Sequence, residues 1–278
     1  MSEHPIEKGI AGVVEIYELL DRVRMRQDLV IRDDQFDLTA LIGASEYADR
    51  RGIPLSLLDT GRFALDEVES LARSGARILT TDEARPRAED WEILQAACRR
   101  AGTRLAVFWN GPLPAADGST PISRQALELL LEGGLDFHVS NRVRPRDPEA
   151  LAALAAAAKK GKAFFVVYHV GPLAAELVET ASRRAWIHFA DASIDGEPAA
   201  ALAVSIARAA SGAGSRAAVH VERGLGLERL ESLWEAGAAL LFQTPPSDDR
   251  SLLRPVERRA SRRKLPPRAF WLSTAFLP

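Results

Sequence analysis

The chain has 278 residues, 47% of them hydrophobic and 27% charged, with a formal net charge of −2 and a single cysteine. A chain of this length buries a core without staples. Cys98 alone excludes an internal disulfide and a multi-cysteine metal centre, and no apolar run approaches the ~20 residues of a membrane-spanning helix.

The opening residues MSEHPIEKG lack the basic-then-apolar pattern of a signal peptide, so a cytoplasmic protein is expected. Residues 1–52 read as a lead-in of helix, strand (Asp28–Arg32) and helix. Short β-type runs then alternate with amphipathic stretches: Pro54–Leu58, Arg77–Thr81, Arg104–Trp109, Leu135–Val139, Ala163–His169, Ala185–Ala190, Ala217–Val221 and Ala239–Phe242. Continuous apolar runs of this length suit strands buried on both faces, as in parallel sheets. Between them, Leu65–Arg73 carries Leu65, Val68 and Leu71 at helical spacing, and Pro148–Lys160 is nearly all Ala and Leu, strong helix formers. Gly52, Gly75, Gly102, Gly134, Gly161 and Gly237 each precede a strand, where a helix C-cap glycine belongs.

Strand, helix, strand in succession predicts parallel βα units. The expected fold is an α/β (β/α)8 barrel of the TIM type over residues 53–246, with residues 1–52 packed outside or beneath it. The competing arrangement is two doubly wound α/β domains split at the Gly/Pro-rich stretch 111–121. Residues 247–278 form a C-terminal tail with eight basic side chains against three acidic ones, on an otherwise acidic chain. Such a tail suits a protein or polyanion partner.

In either fold, ligands bind at the carboxyl ends of the strands. The candidate ligand-binding residues are therefore Asp59, Asp82, Asn110, Arg142, His169, Asp191 and Glu222. No residue is assigned a catalytic role and no cofactor is implied. The motifs G-x-S-x-G, G-x-G-x-x-G, H-E-x-x-H and the P-loop are all missing from the sequence. Gly224 and Gly226 follow the strand Ala217–Val221, where phosphate-binding barrels cradle an anion on backbone N–H groups. The next such loop, Gln243-Thr244-Pro245-Pro246, is poor in N–H donors.

Four of the five histidines, His138, His169, His188 and His220, fall in or at the end of consecutive strands. Imidazole is the commonest transition-metal ligand. A metal-dependent hydrolase or lyase using these histidines with Asp191 and Glu222 is therefore the alternative reading. Against it, the histidines come one per strand, and strand alternation turns some of them toward the helices. The expectation is that no bound transition metal is required.

Residues 135–246 resemble the EAL family of cyclic-di-GMP phosphodiesterase barrels. Phe165–Gly171 is similar to that family's Asp-Asp-Phe-Gly strand. Ile187–Ile194 is similar to its Lys-Ile-Asp-x-Ser segment, with Asp191 and Ser193 matching, and Val219–Glu222 to its Ala-Glu-Gly-Val-Glu strand. The metal-binding aspartates are replaced at or near Tyr168 and His169, and the lysine by Phe189. The resemblance implies a degenerate, regulatory barrel that binds a small anionic ligand or a protein partner without cleaving it.

Overall fold

A computed structural model describes residues 15–25, 30–53, 55–114, 122–142, 144, 146–221 and 225–242. Glu222 and the tail 247–278 lie outside the described residues. The strands are β1 (Val30–Arg32), β2 (Ser56–Leu58), β3 (Arg77–Thr81), β4 (Leu105–Trp109), β5 (Asp136–Ser140), β6 (Phe165–His169), β7 (Trp186–Ala190), β8 (Ala217–Val221) and β9 (Ala239–Phe242). The helices are α1 (Ile16–Arg24), α2 (Leu38–Arg50), α3 (Leu65–Arg73), α4 (Ala88–Arg100), α5 (Arg124–Glu132), α6 (Pro148–Gly161), α7 (Glu176–Ser182), α8 (Gly196–Gly212) and α9 (Leu227–Glu235).

The nine strands form one sheet in strict chain order, β1 to β9. The strand pairs are parallel, for example Leu57 with Ile78 and Val219 with Leu240. This is the singly wound order of the (β/α) barrel class. A doubly wound sheet needs a reversal of strand order, so the two-domain arrangement split at 111–121 is excluded. The strand of the lead-in is β1. It pairs with β2 as the first strand of this same sheet, which therefore has nine strands rather than eight.

Local chemistry explains the segmentation. Helix α2 starts where the Asp37 carboxylate accepts the Ala40 N–H at 2.8 Å, and α5 where Ser123 Oγ accepts the Ala126 N–H at 3.1 Å. Such caps contribute about 1 kcal/mol each. Helix α3 buries Val68, Leu71 and Ala72 along one stripe. Five of the six expected C-cap glycines have positive φ. Gly161 does not; Lys162 takes the left-handed conformation there, at φ 54°. Glycine is required at 161 for another reason. A Cβ would stand 2.0 Å from the Leu131 carbonyl oxygen and 2.7 Å from that of Glu132.

By internal packing the chain divides into two compact units, Met1–His138 with Lys160–Ala163, and Val139–Lys159 with Phe164–Pro278. In the first, strand register sorts side chains onto two faces. Leu57, Ile78, Leu105, Thr80 and Val107 share one face, and Ser56, Arg77, Leu79, Thr81 and Phe108 the other. Trp91 of α4 meets Trp109 edge-on at 5.7 Å and donates its Nε1–H to the Arg85 carbonyl at 2.9 Å. The face that carries Trp109 is thus the helix-covered one. On the other face His138 stacks on Phe108 at 4.3 Å. At the amino ends of these strands the buried Asp136 carboxylate pairs with Arg104 at 2.8 Å and Arg77 at 3.4 Å. Those cations stand at the end of the strands opposite to the candidate rim.

In the second unit the register places Val167, Ile187 and Val219 on one face. Tyr168, His188, Ala218 and Ala239 stand on the other.

Candidate functional site

The first unit brings its strand ends together through polar contacts among themselves. Asp59 follows β2 on the helix-covered side and is buried. Its carboxylate accepts two hydrogen bonds from Arg85, at 2.8 and 2.9 Å, and a third from Thr80 Oγ1 at 2.8 Å. It also accepts the Gly61 N–H at 3.1 Å. Arg85 spends a further N–H on the Phe63 carbonyl at 2.7 Å. Both partners of this forked pair are therefore spent within the protein.

Asp82 follows β3 and accepts the backbone N–H groups of Asn110, at 2.9 Å, and of Gly111. It shapes the turn after β4: a Cβ at position 111 would come within 2.8 Å of Asp82 Oδ2. Asp82 and Asn110 thus meet, through backbone rather than through facing side chains.

A carboxylate absent from the expected set stands near Asp59. Asp33 follows β1 at the start of a 3-10 turn and is only 1% exposed. Thr60 serves both of its oxygens, with Oγ1–H at 2.6 Å and N–H at 3.2 Å. Burial pushes its pKa up to about 6. The Thr60 hydrogen bonds pull against that shift, and the nearby Asp59 charge adds to it. The signal was present in the sequence as Asp33-Asp34 after the apolar run. Assigning that strand to a lead-in kept its end off the rim.

In the second unit His169 ends β6 on the face opposite His188, because His188 is in register with Tyr168. Its Nε2 lies 2.7 Å from the Pro172 carbonyl oxygen and its Nδ1 lies 3.2 Å from Asn141 Nδ2. A carbonyl only accepts and an amide nitrogen only donates. The ring is therefore the neutral Nε2–H tautomer with both nitrogens occupied. Desolvation lowers its pKa, against the raising effect of the Pro172 bond. Asn141 grips Val170 from both sides, accepting its N–H at 2.6 Å and donating to its carbonyl at 3.1 Å. Arg142 is exposed, and its backbone N–H donates to Ser140 Oγ at 3.1 Å. Asp191 is buried in the 3-10 turn Asp191–Ser193 that follows β7.

The remaining strand histidines are buried. His188 Nδ1 lies 3.3 Å from His220 Nε2, and the Tyr168 ring is 4.9 Å from that of His188. Desolvation pushes His220 down to about 4 and, with the Arg77 charge, His138 down to about 3. Both imidazoles are neutral at physiological pH. Among the described residues, no group of three or more His, Cys, Asp or Glu side chains is placed to hold a metal ion. Cys98 is buried in α4, and desolvation pushes its thiol up to about 11, which suits packing and not nucleophilic attack.

A cleft of about 570 Å³ opens at the carboxyl ends of β6 and β7 in the second unit. Gly171, Pro172 and Leu173 of the loop after β6 form one wall. Ala192, Ser193 and Asp195, with Pro198, Ala199 and Leu202 of α8, form the other.

No family model matches the chain, and no curated protein matches it. The resemblance of 135–246 to the EAL family thus finds no family model behind it, and the structure carries only its generic βα repeat. Solved structures with a similar course include deoxyribose phosphate aldolase from Aeropyrum pernix, at 13% identity and a TM-score of 0.33, covering 94% of this chain and 99% of that one. Another is 3-dehydroquinate dehydratase from Aquifex aeolicus VF5, at 13% identity and 0.37, covering 90% and 95%. A third is the HpcH/HpaI aldolase from Desulfitobacterium hafniense DCB-2, at 11% identity and 0.36, covering 94% and 96%. At such scores these likenesses transfer neither a reaction nor a ligand to this chain.

Proposed function

We propose that the chain is a degenerate, regulatory barrel-class protein that binds a small anionic ligand at the carboxyl ends of its strands without transforming it. One observation carries this reading. The strand-end groups suited to chemistry are spent on their neighbours: Asp59 on Arg85, Asp82 on the β4 turn, and His169 on Asn141 and Pro172. A general acid or base needs a free position within reach of a substrate proton, and these groups offer none. The cleft beside β6 and β7 leaves room for a ligand, and the basic tail 247–278 supplies the contact to a polyanion or protein partner.

The test is a thermal-shift panel of inorganic phosphate, pyruvate, succinate and 4-methylpentanoate, followed by NMR of the recovered small molecule. A ligand that binds only the native state raises the melting temperature in a saturating manner, and it should return unchanged. Turnover of the bound anion would defeat the non-catalytic reading, as would binding that depends on an added divalent metal.

A second reading, a lyase, is favoured by Asp33 alone, whose carboxyl is raised to about 6 beside Asp59, a pattern seen at acid–base sites. Under that reading Asp33→Asn abolishes an activity that Asp59→Asn also abolishes.

A further inference from the structure

We infer that the loop after β5 anchors a phosphate group on Arg142, Arg144 and Arg146, so that the small anion bound at this rim is a phosphate monoester. This deepens the reading of an anion-binding rim and rests on it. The segment Arg142-Val143-Arg144-Pro145-Arg146 puts three arginines within five residues at the carboxyl end of a strand. The structure draws the two outer ones toward each other. Ser140, the last residue of β5, is buried. Its Oγ accepts the Arg142 backbone N–H at 3.1 Å, and its carbonyl oxygen accepts the Arg146 Nε–H at 2.6 Å. The Arg146 side chain thus reaches back to where the loop begins. Arg142 and Arg144 are exposed, and among the described residues Arg144 takes part in no hydrogen bond or ion pair. A loop that gathers charges of one sign attracts counter-ions of the other.

The surroundings leave that charge in place. Asp147 follows the loop, but it gives its two carboxylate oxygens to the N–H groups of Glu149 and Ala150, at 3.2 Å each, where α6 begins. The neighbouring rim segment 170–175 has no charged residue, and Asn141 ties it to the arginine loop through both polar groups of Val170. A carboxylate brings one charge and two oxygens. A phosphate monoester brings about −1.5 to −2 at neutral pH and three acceptor oxygens, which suit several planar guanidinium forks at once. A single-stranded nucleic acid fits less well, because residues 140–147 include no aromatic side chain on which a base could stack.

The test is calorimetric titration of the full chain with glycerol 3-phosphate, acetate and a mixed-sequence single-stranded oligonucleotide, all at one ionic strength. Glycerol 3-phosphate should bind about tenfold more tightly than acetate. Arg144→Gln should weaken it about threefold to fivefold, the worth of an exposed ion pair, and the double variant Arg142→Gln, Arg144→Gln about tenfold or more. The melting temperature should not move, since both side chains are exposed. Arg183→Gln removes an equal charge before β7, at the opposite end of the strands, and should leave binding unchanged. If it weakens binding as much as Arg144→Gln does, the attraction is diffuse and the inference falls. The inference also falls if glycerol 3-phosphate binds no more tightly than acetate, or if the double variant binds it as wild type does. The anion-binding reading then stands as long as acetate or another small anion binds. An oligonucleotide that binds more tightly than glycerol 3-phosphate and displaces it overturns the assignment of a small ligand. Should no small anion bind wild type, the anion-binding reading falls together with the inference.

Discussion

Asp33 and Asp59 follow the neighbouring strands β1 and β2 but have different partners. Arg85 forks onto Asp59, whereas among the described residues Asp33 accepts from the neutral Thr60. Removing Asp59 strands a buried guanidinium, and breaking a buried pair from one side costs about 3–5 kcal/mol. Asp59→Ala should lower the urea midpoint accordingly; a loss under about 1 kcal/mol would mean the pair is hydrated and worth little. Asp33 behaves in the reverse sense. Its folded pKa, about 6, lies above the ~3.9 of an unfolded aspartate. The folded state therefore holds the proton more tightly. The stability from this group is fully present below about pH 4 and is lost as pH rises through about 6. Asp33→Asn should flatten that fall, and denaturation curves from pH 4 to 7 will show whether it does.

At the scale of elements, glycine has two separable uses. Gly102 has φ +71° and open space around its Cβ position, whereas Gly161 has an ordinary φ and carbonyl oxygens where a Cβ would go. Gly102→Ala should therefore cost about 1 kcal/mol through backbone conformation. Gly161→Ala must displace the end of α5 and should cost more, with a melting temperature several degrees lower still. Equal losses would show that the helix end yields freely.

The buried His188–His220 contact between β7 and β8 predicts an acid response. Folded His220 titrates near 4, against about 6.5 when unfolded. Its contribution is present above pH 6.5 and is lost as pH falls toward 4. His220→Gln should reduce the slope of stability with pH in that window, read by urea melts at half-unit steps. Across pH 4 to 6 this trend opposes that of Asp33, so each group's contribution is read as the difference between wild type and its variant at each pH.

For the molecule as a whole, the strands were readable because most, such as β4 and β6, are buried on both faces and carry short apolar runs. α3 and β3 fall where the spacing puts them, at Leu65–Arg73 and Arg77–Thr81. The strand-end chemistry was less readable, for a physical reason. Position after a strand puts a residue at the rim, but pleat parity and loop partners decide whether its side chain is available. Asp59 is captured by Arg85, 26 positions away, and His169 by Asn141, 28 positions away. Nothing in the local sequence around Asp59 or His169 announces those captures.

The strict chain order of the sheet has a consequence for synthesis. Each strand from β2 onward pairs with the strand made just before it, so its template has already left the ribosome when it emerges. At ~5–20 residues per second, each new βα repeat follows the last within seconds and finds an exposed edge waiting. In a doubly wound sheet, one half must wait for the central strand to be flanked from its other side. Here the growing edge moves in one direction, away from β1, as the chain lengthens.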